Sequence, residues 1–418
     1  MTEVAGADTA AAADRAAATQ ADGAAAAPAD TAPVPSRTGP GIHRRRRPAA
    51  APDWRAWGRV ARPWWRPVAV LVAARLAMAA AVFTFSHLYH HFTLNQWDGG
   101  WYLLAARNGW PHHVLRGFGG PAQDTLAFFP GFPTVIRAVH FVLPLSWTRA
   151  GEVAAFLTEV AMVIGVWLLA RDVWGREVAD RGVVALCFFP GSFILAMMYS
   201  EPLTIAAAAF CLLALRRRQW VAAGLLGTVG TATRVIGVAL VAACAWEAYQ
   251  AIRRDREWRS LSAVVLAPAG IVGWFVYLWA STGDRLAWVH TEKYGWAQHT
   301  TLSAIPDLVR SVLDTHPAPI QGVLAVAGTG LGLILLTVLV YSRSPGVLAV
   351  YSIAVLAISA TSVNPSGIRF RFVLTAFPLV LMLGRYLRDA AFGTAVAASS
   401  VVMGVILVVT LMGPALIP

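Results

Sequence analysis

Charge is what this chain has least of. Only 13% of its 418 residues are Asp, Glu, Lys or Arg, and 57% are hydrophobic. A soluble globular protein carries about 25% charged residues, so the deficit excludes a soluble domain as the body of the chain. Lysine is almost missing: Lys293 stands alone among many arginines, which points to a compositional bias toward Arg. Cysteine is scarce too. Cys187, Cys211 and Cys244 all fall in apolar segments, with neither metal-ligand nor disulfide spacing, and they read as small buried hydrophobes. A Walker loop, a dinucleotide fingerprint, a GxSxG turn and an HExxH helix are all absent. The pairs His90-His91 and His112-His113 do not supply a metal site, because adjacent histidines point differently on a helix and zinc needs convergent ligands. No metal and no cofactor is expected.

What the chain does have is continuous apolar sequence. After a first span near 67–87, further runs lie near 126–145, 152–170, 182–198, 202–215, 220–233, 236–250, 262–280, 319–341, 346–361, 372–387 and 391–413. Several approach the roughly 20 residues that cross a bilayer. A β-barrel would show alternating segments of about 10 residues, and these runs are unbroken Leu, Val and Ala. The expected fold class is an all-α polytopic membrane protein, a bundle of about 10–12 apolar helices by the span-length criterion.

The formal net charge is +12. Basic proteins often bind nucleic acid, but here the arginines cluster in short links between apolar runs, the positive-inside pattern of membrane proteins. No nucleic-acid partner is expected; membrane lipids are. Residues 1–50 are rich in Ala, Asp, Thr and Pro, with too few large apolar side chains to build a core, so they read as a disordered cytoplasmic segment. They are too weakly apolar for a signal peptide. Residues 51–66 read as a basic and aromatic juxtamembrane segment. Arg55, Arg59, Arg62 and Arg66, preceded by Arg44 to Arg47, interleave there with Trp54, Trp57, Trp64 and Trp65. That mixture suits the headgroup level and holds the N-terminus inside. Residues 67–418 form the membrane domain.

The runs "RRR" at 216–218 and "RRDREWR" at 253–259 mark cytoplasmic links. Between them, 220–250 crosses out and back as two short helices broken near Thr233-Arg234, or forms a re-entrant hairpin. The links 281–318 and 362–371 then fall outside. One conflict arises: full crossings at both 126–145 and 152–170 would put the Arg-bearing link 171–181 outside. Either 126–145, which contains Pro130 and Pro133, crosses incompletely, or the charge rule fails locally; the incomplete crossing is the preferred reading.

Propagating these markers sets Asp98, Glu201, Arg234, Arg369 and Arg371 on the same, external side. The first three have a purely structural reading, whereas Arg369 and Arg371 stand before an outer helix end, where positive residues are less expected. Asp98 before Gly99-Gly100 could be a turn or capping residue. Glu201 before Pro202 could be an acidic helix start. Arg234 could snorkel to the interface. Trp97, Trp101, Tyr102 and Trp110 could form an interfacial belt or stack on a sugar. Taken together, an acid with several arginines at the outer surface suggests anionic-lipid chemistry. Arginine forks grip phosphate in bidentate fashion, and a carboxylate can deprotonate an acceptor hydroxyl.

The motifs go further. "WDGGWYLLAARNGW" (97–110) resembles the first external loop of the class C glycosyltransferases, most closely the second GPI mannosyltransferase family and its bacterial relatives. "FFPGFPTVIR" (128–137), "FFPGSFILAMMYSEPL" (188–203), "ALRRRQWVAAGLLGTVGTATRVIGVAL" (214–240) and "RFRFVLTAFPLVL" (369–381) resemble that family's later elements, in the family's order. The resemblance implies transfer of a hexose, usually mannose, from a polyprenyl-phosphate donor on the outer face of the cytoplasmic membrane, with inversion and without a nucleotide sugar. It implies Asp98 as general base and Glu201 as a second catalytic residue that positions substrate or orients the base. It also implies that Arg234, Arg369 and Arg371 hold the donor phosphate. Trp97, Trp101, Tyr102 and Tyr199 would be substrate-binding. Trp110 stands where the family usually has Tyr, and Val235-Ile236 follow Thr-Arg where Pro is common. The composition of residues 1–50 suggests a high-GC bacterial genome, so the acceptor is a glycan, glycolipid or protein of the cell envelope rather than a GPI anchor. Two other readings stand beside this one. The first is a transporter or flippase of a lipid or lipid-linked sugar, with Arg75, Arg137 and Glu159 as its intramembrane charges. The second is an inactive membrane scaffold.

Overall fold

The computed structural model describes residues 64–86, 97–117, 120–363 and 367–412, all within the unit Arg55–Pro418. The expected disordered stretch 1–50, residues 51–63 of the juxtamembrane segment and the pair His90-His91 lie outside the described residues.

Six helical stretches are long and apolar enough to cross a bilayer. They are α1 (Trp65–Ser86), α4 (Trp147–Trp174), the stretch Val235–Asp255 that ends in α8 (Ala239–Asp255), the stretch Trp258–Thr282, α13 (Ile320–Tyr341) and α17 (Asp389–Met412). At 1.5 Å per residue, 20 residues cover about 30 Å, the hydrocarbon thickness. The chain is a multi-pass membrane protein.

The remaining apolar runs are shorter, and proline accounts for several of the breaks, including one inside the span Trp258–Thr282. Proline donates no backbone hydrogen bond and disfavours helix at the residue before it. The run at 182–198 divides into α5 (Arg176–Cys187) and a 3-10 helix, Pro190–Ala196. The run at 372–387 divides into α15 (Phe370–Thr375) and α16 (Pro378–Tyr386). The run at 262–280 is interrupted at Pro268, between α9 (Leu261–Leu266) and α10 (Ala269–Thr282). The run at 126–145 holds only α3 (Gly131–Val142), whose 12 residues are too few to cross. Between α6 (Glu201–Arg216) and α8, the 12-residue α7 (Trp220–Thr231) stops just before Thr233-Arg234.

The largest core joins α4, α5, α6, α8 and α14 (Gly346–Ala360) to α15 and α16, around the fully buried Trp167, Phe189, Tyr351 and Phe377. The helix α6 is enclosed almost all round, so its apolar composition reflects protein neighbours rather than lipid. A second core packs α2 (Asp98–Asn108), α3 and the start of α4 through Tyr102, Phe128, Phe132, Ile136 and Ala154. The described structure also holds the short α11 (Ala287–His290), α12 (Ala304–Asp314) and two antiparallel ladders. One pairs 116–117 with 120–121. The other sets His299 against Val363 and Thr300 against Ser362.

One ion pair joins two of the spans. On α1, Arg75 Nε donates to Glu159 Oε2 of α4 at 2.7 Å, and its Nη2 bonds the other carboxylate oxygen. Arg137 serves a different purpose. Its Nε and Nη2 donate to the carbonyls of Ala106 and Ala105 at 2.6 and 3.2 Å, in the last turn of α2. A cation at a helix C-terminus satisfies orphan carbonyls and opposes the dipole. The three cysteines are buried thiols, and Cys211 Sγ lies 3.9 Å from Cys244 Sγ.

Candidate active site

The sequence around Asp98 builds a helix that starts on the acid itself. Trp97 precedes α2 with φ at 60°, a conformation that L-residues seldom adopt. It is held there in part by its indole Nε1, which donates to the Thr410 carbonyl of α17 at 3.2 Å. The turn brings Asp98 out at the head of α2, with its side chain 27% exposed. At the other end of α2, the Arg137 bonds fix the helix in place.

Two more helices start at the same place. Glu201 opens α6, and Arg234 precedes the 3-10 turn that leads into α8. Arg371 comes from the short α15. Arg234 Nη1 lies 2.8 Å from Glu201 Oε1, and Arg371 Nη1 lies 3.9 Å from both Glu201 Oε1 and Asp98 Oδ2. The chain of contacts continues through Ser200, whose Oγ accepts from Arg234 Nη1 at 3.3 Å and pairs with the Tyr102 hydroxyl at 2.6 Å. Glu201 is 1% exposed and Arg371 7%. Glu201 is therefore the buried anchor of two guanidiniums, and Asp98 is the acid that opens to space.

Two sequence repeats explain how the arginines are aimed. "FFPG" occurs at 128–131 and again at 188–191. Gly131 donates its N–H to the Ala232 carbonyl at 2.8 Å, and a Cβ there would sit 2.7 Å from Thr233 Oγ1. Gly191 lies against the Phe370 carbonyl, and a Cβ there would sit 2.9 Å from Arg371 N. Each motif thus lets a bare glycine press on the backbone beside one of the site's arginines.

Above these groups lies a cavity of about 880 Å³. Trp97, Asp98, Trp101, Tyr102, Arg234 and Arg371 line it, as do residues of the segment 288–300. Tyr199, Glu201 and Arg369 are not among its lining residues. Tyr199 is fully buried. Arg369 sits at the N-cap of α15, and burial and then the neighbouring Arg371 push its pKa down, although a guanidinium keeps its charge. Burial raises the pKa of Asp98 above the ordinary carboxylate range. Arg371 and then Arg234 pull against that shift, and Glu201 works with it.

The sequence reading missed the segment 288–300. Glu292, Lys293, Trp288, Trp296 and Gln298 all line the cavity. Burial, and then Asp98, push Glu292 up to about 8, with Arg234 opposing. A signal existed: "EKYGW" (292–296) carries the chain's only lysine, an acid and two aromatics in a sequence poor in charge. Among the described residues, no group of three or more His, Cys, Asp or Glu side chains is placed to hold a metal ion.

No protein-family model matches this chain, and no curated protein matches it in sequence. Solved structures do match it in shape. ArnT from Cupriavidus metallidurans bound to undecaprenyl phosphate aligns over 80% of this chain and 63% of its own, with a TM-score of 0.51 and 16% identity. The apo state of the same protein aligns over 82% of this chain and 63% of its own, with a TM-score of 0.50 and 16% identity. The apo oligosaccharyltransferase of Archaeoglobus fulgidus gives a TM-score of 0.48 at 14% identity, over 84% of this chain and 57% of its own. This chain thus spans under two thirds of the length of the ArnT chain that it matches. The chain has the class C glycosyltransferase type of fold seen in ArnT, a helical membrane bundle with α2 lining its cavity.

Proposed function

We propose that this protein transfers a hexose, mannose by its sequence motifs, from a polyprenyl-phosphate donor to a glycan, glycolipid or protein acceptor. The transfer takes place at the outer face of the cytoplasmic membrane, and the N-terminus is cytoplasmic. One observation carries the reading: a partly exposed acid stands 3.9 Å from a buried arginine, both lining a cavity beside which three helices begin. Helix N-termini and guanidiniums both favour a phosphate. ArnT, which has the same fold, was crystallised with undecaprenyl phosphate, and that ligand supports a lipid phosphate here.

In this mechanism Asp98 accepts the proton of the acceptor hydroxyl. The hydroxyl oxygen forms the new bond to the anomeric carbon as the bond to the phosphate oxygen breaks on the opposite face, so the configuration inverts. The departing phosphate keeps the electron pair and gains negative charge against Arg371 and Arg234. Glu201 touches neither reactant; it fixes the two guanidiniums. Tyr102 and Ser200 brace Arg234. Arg369 contributes positive potential from behind the cavity wall. Trp97 and Trp101 offer apolar faces to a sugar.

The test is transfer from labelled polyprenyl-phosphate mannose in membranes. Asp98→Asn should lower it about 10²- to 10⁴-fold, the range of general-base catalysis, with the protein still folded. Near wild-type transfer by this variant would remove Asp98 from the reaction. The transporter reading draws less support, because Arg75 and Glu159 neutralise each other and Arg137 caps α2.

A further inference from the structure

We infer that Glu292, Trp288 and Trp296 form a pyranose-binding wall of this cavity, with Glu292 hydrogen-bonded to sugar hydroxyls. The inference rests on the glycosyl-transfer reading above and deepens it.

The segment that carries these residues is built to stay in place. Glu292 lies in a single π-helical turn, Thr291–Gly295, a form found often at functional sites. Its carbonyl accepts from Gln298 N at 2.8 Å and from Trp296 N at 3.2 Å. A Cβ on Gly295 would lie 2.7 Å from the Ala122 carbonyl oxygen, so the turn is docked on the segment before the first "FFPG" motif. Downstream, His299-Thr300 pair with Ser362-Val363, not far ahead of Arg371.

The two indoles are held by residues that themselves line the cavity. Trp296 meets Trp101 edge-on at 5.2 Å and Phe128 at 5.5 Å. Trp288 donates its Nε1 to the Ala127 carbonyl at 3.3 Å. Both residues line the cavity and are half-buried. Glu292 is half-buried on the same wall. Among the described residues no cation stands within ion-pair distance of its carboxyl.

The chemistry of this wall differs from that of the arginines. A phosphate is bound by cations and N–H donors, and a carboxyl, ionised or not, supplies neither. A pyranose has an apolar C–H face that lies well on an indole, and a rim of hydroxyls that needs polar partners. The raised pKa of Glu292, about 8, leaves much of the carboxyl protonated near neutrality, able both to donate and to accept. The sugar could be the donor's hexose or a sugar of the acceptor; the recognition is the same.

The full-length protein in nanodiscs provides the test, with three probes: polyprenyl phosphate, polyprenyl-phosphate mannose and methyl mannoside. Glu292→Ala should weaken binding of a mannose-bearing probe about tenfold, the equivalent of one hydrogen bond. Bare polyprenyl phosphate should bind this variant within about twofold of wild type, because no hydrogen bond to it is lost. Loss with the lipid mannose places the donor sugar on this wall, and loss with methyl mannoside places the acceptor there. Glu292→Gln keeps the shape and hydrogen bonding of the protonated acid and should stay close to wild type, which separates lost recognition from lost folding. Unchanged binding of both mannose probes by Glu292→Ala would overturn the inference while the glycosyl-transfer reading stands. Wild-type protein that binds methyl mannoside but neither lipid would instead sink that reading, and Glu292→Ala would still score the wall.

Discussion

The proposed reaction asks Asp98 to be a base in a place that favours its protonated form. Burial raises its pKa, and Arg371 is the largest influence holding it down. A general base works only when ionised, so activity is lost as pH falls through this raised pKa and regained as pH rises through it. The acid limb of kcat/KM against pH should therefore lie above the ordinary carboxylate range. Arg371→Met removes the main opposing charge, so the limb should move to still higher pH. The same change should cost about 10- to 100-fold in kcat/KM through a lost charge-assisted contact to phosphate. A pH–rate profile on both proteins checks this; an unmoved limb would mean that another group sets it. At this scale the sequence was informative where charge was costly. Asp98, Arg234 and Arg371 stood out because each is an ionised group at the edge of an apolar run. Glu201 stood out too, but its task did not, since only packing shows that it sits beneath two arginines. Glu292 was hidden in a link without apolar periodicity. What brings it to Asp98 is a set of long-range contacts, through Gly295, Trp296 and the pairing of 299–300 with 362–363.

Elements were harder to read than residues, for a physical reason. Hydropathy reports an apolar environment but does not say whether lipid or protein supplies it. The helix α6 is as apolar as a span, yet nearly every residue of it is covered by protein. The runs 182–198 and 372–387 are apolar because they are core, and Pro190 and Pro378 divide them. Those breaks matter to the site, because the first sets Gly191 against the backbone of Arg371. Gly191→Ala and Gly131→Ala should each cost about 1–3 kcal/mol of stability, the usual penalty for overpacking. In the protein that remains folded, KM for the lipid donor should rise more than KM for the acceptor, because each glycine touches backbone beside an arginine proposed to hold the donor phosphate. Gly273→Ala and Gly330→Ala are the controls. A Cβ at either meets nothing within 4 Å, so both should behave as wild type. If the four variants gave the same donor KM, the "FFPG" glycines would be packing residues with no hold on the arginines.

For the molecule as a whole, membrane class and bundle were legible from composition, and the shape shared with ArnT agrees with that reading. The way the bundle holds α1 was less evident. Only 22% of the most apolar window of α1 is buried, so apolar packing alone ties it loosely. The Arg75–Glu159 pair is its strongest directional link to α4. Glu159 is fully buried, and removing Arg75 leaves its charge without compensation. Breaking a buried pair from one side typically costs about 3–5 kcal/mol, whereas replacing both partners by apolar residues is often neutral. Arg75→Met should therefore lower the unfolding temperature in detergent markedly, and Arg75→Met with Glu159→Leu should recover most of the loss. Both proteins should keep the donor-phosphate affinity of the wild type, because neither residue lines the cavity. Strict additivity of the two single changes in the thermal scan would show that the pair is not coupled. A lost donor affinity in the recovered double variant would show instead that these charges belong to a substrate path through the membrane, which is what a transporter requires and a transferase does not.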